Sequence, residues 1–254
     1  MMNKLYGAGL LLSAVILCSC SVRAEMVVGA DGSIAVHAAS SSRPEVNDVI
    51  AGLGTALWGG GNPFDGGRIR AGLLAAGFTA AAVSNGEGIS FRVDTAGPSA
   101  QAVFDSVNRA WGTLNPASGG DPPVVFRAVG AEEGIFRLVV SPDTMPALLS
   151  LFPPESADYL ALVTSLISPE FVAGGDRRTS LDNTAAIYGQ SVARALGESV
   201  VDFIFTAPAS ITGWDAPPWV TATRTDRHTV RFAIPLMDIL AGPTRKTFVL
   251  RWRA

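Results

Sequence analysis

The side chains of this sequence that could do chemistry are few, and their spacing argues against most of the chemistry they could do. Of 254 residues, two are cysteines, Cys18 and Cys20, and two are histidines, His37 and His228. A histidine-based catalytic or metal site would need His37 and His228 to meet by tertiary packing, because neither sits in a spaced motif. Both are expected as partly exposed strand residues. Gly189-Gln190-Ser191-Val192-Ala193 approaches a nucleophile elbow, which requires a strand feeding a sharp turn. Helical periodicity runs through it here, so Ser191 is expected as an ordinary helix residue. Two acids for glycoside cleavage must stand about 5–10 Å apart. Glu132-Glu133 falls on a hairpin turn, Asp31 and Asp226 in other turns, and Asp143 at a helix cap. Gly59-Gly60-Gly61-Asn62-Pro63 lacks the Gly-Lys-Ser/Thr of a phosphate-binding loop. No catalytic residue, metal site or cofactor is expected, and the chain reads as not an enzyme.

The cysteines carry the address. Hydrophobic residues make up 48 % of the chain and charged ones 16 %, with a net charge of −3. That composition supplies a packed core and excludes general nucleic-acid binding. Because both cysteines fall within the first twenty residues, the body has no disulfide framework and no thiolate metal site. Lys4 precedes an uncharged run from Leu5 to Leu17, the shape of a secretory signal and too short for the roughly 20 residues of a membrane span. At its end, Leu17-Cys18-Ser19-Cys20 resembles the lipobox of bacterial lipoproteins: an aliphatic residue, then a small one, then the acceptor cysteine. The resemblance implies a signal peptide over 1–19 and diacylglycerol, with palmitate-type acyl chains, on Cys20. Cys18 is the poorer acceptor, because Leu17 would stand before it. Ser21 in place of Asp is compatible with sorting to an outer membrane. The rival is Val22-Arg23-Ala24 before Glu25, which suits an ordinary signal peptidase and would release a secreted or periplasmic soluble chain.

The remainder, 20–254, is expected to form a single α+β domain: an antiparallel sheet of several hairpins with helices packed on one face. Met26–His37 reads as a hairpin turning at Asp31-Gly32. Asn47–Trp58 and Asp65–Phe78 read as helical. Thr79–Ser84 and Ile89–Thr95 pair as strands, 99–112 is a helix, and Val124–Val129 with Ile135–Val140 forms a second hairpin. A helical segment covers about 144–198. Its last helix, Asp182–Leu196, exposes Gln190 and Arg194, turns Ile187, Tyr188, Val192 and Leu196 away, and stops at Gly197. Val200–Ala207, Val220–Thr225, Thr229–Ile234 and Lys246–Arg253 are strands, the last two alternating strictly. Residues 224–254 carry seven basic side chains against Asp226 and Asp238, the pattern either of an Arg-rich solvent face or of a surface that meets anionic headgroups or polymers.

Four segments, Asp31-Gly32-Ser33, Asp202–Pro208, Thr229–Leu236 and Phe248–Trp252, together with the signal cysteine, resemble bacterial envelope lipoproteins of the LppM type. That resemblance implies an envelope role without known catalysis. The expected function is a membrane-anchored, non-enzymatic envelope lipoprotein that binds a lipid or protein partner through the apolar helices at 145–172, with Leu148, Phe152, Leu160 and Ile167 as the ligand-binding residues. Those helices hold only three charges, Glu155, Asp158 and Glu170, so they suit either a pocket or a core. Two alternatives stay open: a structural surface lipoprotein with no ligand, and a hydrolase built on His37 or His228.

Overall fold

Burial alternates residue by residue along the first strand of the computed structural model, with Val22, Ala24, Met26 and Val28 turned inward. The structure describes residues 21–41, 43–45, 48, 67, 70, 74, 80–85, 91–114, 122–129, 133–141, 144, 177–240 and 245–253. In chain order the strands are β1 (Ser21–Val28), β2 (Ser33–Ser41), β3 (Ala80–Asn85), β4 (Phe91–Ser99), β5 (Val124–Val129), β6 (Glu133–Val140), β7 (Val200–Thr206), β8 (Ser210–Asp215), β9 (Thr221–Arg224), β10 (Thr229–Pro235) and β11 (Lys246–Arg253). The helices are α1 (Ala100–Leu114), α2 (Arg177–Tyr188), α3 (Gln190–Gly197) and α4 (Leu236–Leu240).

The strands form a seven-stranded sheet in the order β3-β4-β2-β1-β7-β10-β9 and a four-stranded sheet in the order β5-β6-β11-β8. Pairing is antiparallel except between β1 and β7, which run parallel. The first hairpin turns as expected. Gly29 N–H donates to the Ser33 carbonyl at 2.9 Å, and the Asp31 carboxylate accepts from Ser33 N–H at 2.9 Å. The first strand nevertheless starts at Ser21, five residues before the expected Met26, because Val22 and Ala24 continue its inward alternation. Strand β8 and helix α4 were not expected at all.

The mixed α/β content and the largely antiparallel pairing are as expected, but the strands form two sheets in place of the single one expected. The apolar face of the large sheet is met by the small sheet, whose own inward residues share one core with it. Aromatic rings interlock across the gap. Phe136 of β6 stacks on Phe205 of β7 at 5.2 Å, Trp252 of β11 lies 5.7 Å from Phe205, and Phe248 meets Phe232 edge-on at 6.2 Å. Two sheets that each bury one face satisfy one another.

Helix α1 closes a flank of this sandwich. Ser99 Oγ caps it by accepting from Ala102 N–H at 3.1 Å, and Phe104 packs 5.2 Å from Phe126 and 5.5 Å from Phe136. The Asn108 side chain donates to the Val124 carbonyl at 2.7 Å and accepts from Val124 N–H at 3.2 Å. Its amide thus pairs with edge strand β5 as a neighbouring backbone would.

The expected helix over Asp182–Leu196 is two helices that begin earlier, at Arg177, and break at Gly189, whose φ is +94°. A side chain there would be strained. The break changes the helical phase, so Ile187, expected to turn inward, is 66 % exposed, while Val192 is buried. The stop at Gly197 is as expected.

Candidate functional site

Cys20, Leu148, Phe152, Leu160 and Ile167 lie outside the described residues, as do the expected helices at 145–172 and most of those at 47–58 and 65–78. What the structure does give is the surroundings of the chain just after Cys20. Ser21, the next residue, opens β1 and pairs with Ser41 of β2 on one side and Val200 of β7 on the other. Strand β1 is the fourth of seven in its sheet, so the chain enters at the middle of the sheet's end. Beyond Ser41 and before Val200, the two flanking strands are tied by an ion pair, Arg43 Nη2 to Glu198 Oε2 at 2.7 Å. Pro235 pairs with Val200 at the same end. Helix α4 follows, where Asp238 accepts from Arg177 at 3.1 Å and Arg177 also donates to the Gly197 carbonyl at 2.7 Å. Lys246 opens β11 beside it, and burial pushes its amine below the ordinary lysine range against the pull of Asp238.

Val22 and Ala24 are each 2 % exposed. The four residues Ser21–Ala24 are half of β1 and are paired on both sides. Burying Val22 alone contributes about 1.5–3 kcal/mol, and native domains have only about 5–15 kcal/mol in total. A chain that began at Glu25 would lose this half of its central strand.

The two histidines do not share a site. His37 stands on the outer face of β2, with Nδ1 3.0 Å from Asp94 Oδ1 on β4. Arg92 Nε donates to Asp94 Oδ2 at 2.9 Å. That hydrogen bond, seconded by the one from His37, holds the Asp94 carboxyl below the ordinary carboxylate range. An imidazole held by a carboxylate is half of a nucleophile-activating relay. The other half is missing from its strand register: the residues paired with His37 are Glu25 and Asp94, and its same-face neighbours along β2 are Ala35 and Ala39. None of these is a hydroxyl or thiol. Sequence gave no sign of Asp94 or Arg92, because only the β2/β4 register brings them to His37. His228 lies in the β9/β10 turn, where its N–H donates to Asp226 at 2.7 Å and pulls that carboxyl below its usual range. Asp31 is likewise held low by Ser33. Both acids serve as turn caps, as expected. Ser191 is an exposed residue of α3, again as expected.

The basic residues of 224–254 do not gather on one face. Arg231 makes a two-pronged contact with Asp202 at 2.9 and 2.8 Å on the outer face of the large sheet. Arg224 lies over the Trp214 ring at 5.6 Å and donates to the Ile211 carbonyl. Arg251 and Arg253, with Arg127, border an open concavity of about 500 Å³ on the small sheet. Arg251 is paired with Asp215 at 2.8 Å and Arg253 with Glu133 at 3.2 Å. Charge compensation of this kind is usual for solvated side chains.

Among the described residues, no three His, Cys, Asp or Glu side chains gather as metal ligands, and no helix is long and apolar enough to cross a membrane. No protein-family model matches the chain, and no curated protein matches it. Among solved structures, the NMR structure of the folded domain of Mycobacterium tuberculosis LppM aligns over 92 % of this chain and 88 % of that one, at 11 % identity and a TM-score of 0.37. So low a score leaves the function to be read from the chain's own residues.

Proposed function

We propose that this chain is a non-enzymatic lipoprotein of a bacterial cell envelope, anchored through a diacylglyceryl thioether on Cys20 and sorted to an outer membrane. One observation carries the reading. Processing before Cys20 leaves β1 whole, whereas processing after Ala24 removes the paired and buried residues Ser21–Ala24 from the middle of the large sheet. The fold thereby supports the first of the two signals in the sequence. Two or three acyl chains, at about 0.8 kcal/mol per buried CH₂, hold such a protein at a bilayer essentially permanently. The apolar segment 145–172 is the part assigned to an apolar ligand or envelope partner, through Leu148, Phe152, Leu160 and Ile167.

Mass spectrometry of the mature protein tests the anchor. The expected amino terminus is Cys20 carrying acyl mass, lost together with membrane association in Cys20→Ala. A mature chain beginning at Glu25 with no acyl mass would overturn the reading.

A further inference from the structure

The tether has no slack. Lipoproteins hold their body away from the bilayer when a spacer separates the acylated cysteine from the first fixed residue. Here β1 begins at Ser21, whose Cα is about 3.8 Å from that of Cys20 across one peptide bond. We infer, resting on acylation at Cys20, that the end of the sandwich bearing Ser21, Ser41, Val200 and Pro235 is a docking surface for phospholipid headgroups, with the strands of the large sheet standing up from the bilayer.

Three features of that end support a headgroup layer as its occupant. First, the attachment is central. Ser21 belongs to the fourth of seven strands, and its neighbours β2 and β7 lie about 4.8 Å away on either side. With the acyl chains inserted, the glyceryl thioether brings Cys20 to headgroup depth, and Ser41 and Val200, paired with Ser21, are carried to the same level. A body held at its middle strand without a spacer cannot tip far before a flanking strand end meets the surface.

Second, among the described residues the chemistry of that end is polar and charge-paired. Ser21 and Ser41 are exposed, and the ion pairs Arg43–Glu198 and Arg177–Asp238 span 2.7 and 3.1 Å. Val200, 36 % exposed, is the large apolar side chain of β7 presented there. Such a surface suits a zone of zwitterionic and anionic headgroups and water, and does not suit the hydrocarbon interior. Third, the far end is well separated. Strand β1 has eight residues, about 26 Å at 3.3 Å per residue. The Gly29–Ser33 turn and the β9/β10 turn with Arg227 therefore face away from the anchoring bilayer.

The experiment uses the full-length, acylated protein in vesicles of phosphatidylethanolamine and phosphatidylglycerol that contain a headgroup-attached nitroxide quencher. The only cysteines are Cys18, removed with the signal, and Cys20, whose sulfur is in the thioether, so an introduced cysteine is the sole free thiol. A fluorophore is placed at Val200→Cys or at Arg227→Cys, with Ser41→Cys as a second site at the anchored end should Val200→Cys not fold. The expected result is several-fold stronger quenching at position 200, and at 41, than at 227. Equal or reversed quenching in protein of confirmed acyl mass overturns the docking surface and leaves the anchor standing. A chain without acyl mass overturns the anchor, and the docking surface with it.

Discussion

Gly134 of β6 sits opposite Trp252 of β11, and the indole occupies the space that any side chain at position 134 would need. The close approach lets Trp252, 1 % exposed, lie over the β6 backbone and reach Phe126 at 6.0 Å and Phe205 at 5.7 Å. The Trp252–Phe205 contact joins the two sheets.

Gly134→Ala is therefore expected to overpack the core. The added methyl overlaps ring atoms that neighbouring phenylalanines prevent from shifting, a cost of about 1–3 kcal/mol. Urea unfolding followed by tryptophan fluorescence measures it. An unchanged midpoint would show that the ring has room to move.

The amino terminus of β1 gives a second prediction. A mature chain from Cys20, with Cys20→Ser to remove the lipid, is expected to unfold cooperatively. A chain starting at Glu25 loses Val22 and Ala24 from the core and four paired residues from the middle of the sheet. It is expected to unfold at a lower urea concentration by several kcal/mol, or to fail to fold. Circular dichroism of the two chains decides it, and equal stability would remove the ground for preferring Cys20 over Ala24.

The His37–Asp94–Arg92 cluster predicts a pH dependence. Asp94 is held below the ordinary carboxylate range by its hydrogen bonds, first to Arg92 and then to His37. A carboxyl with a depressed folded-state pKa contributes stability that is fully present above its unfolded value. It loses that contribution as pH falls through the lowered one. Asp94 is partly exposed, with 34 % of its side chain open to solvent, so the contribution is under about 1 kcal/mol. Asp94→Asn is expected to be less stable than the parent at neutral pH, and the difference should shrink as the pH is taken below the carboxylate range. Urea midpoints at pH 7 and in strong acid test this, and a gap that stays constant would mean the ion pairing contributes nothing.

Much of the architecture is written in local pattern. Alternation in Thr229–Ile234, the turn chemistry of Asp31-Gly32 and the glycine at 197 each report on neighbours a few residues away, and the structure carries each of them. In β11 the expected alternation is broken at Val249, which is buried between Phe248 and Leu250. Ile187 shows where such reading fails. Its helical spacing is sound, but the turn of phase at Gly189 leaves it in solvent.

The sequence alone determined the hairpins and the inward alternation of Thr229–Ile234, because these depend on residue type and on periods of two or 3.6 residues. Tertiary structure alone decided that a second sheet meets the first and that Asp94 stands beside His37. It also decided that β1 lies parallel to β7, placing Ser21 beside Val200. Those are choices of register between segments far apart in the chain. Side-chain period does not distinguish one partner strand from another, and only the fit of the whole core does.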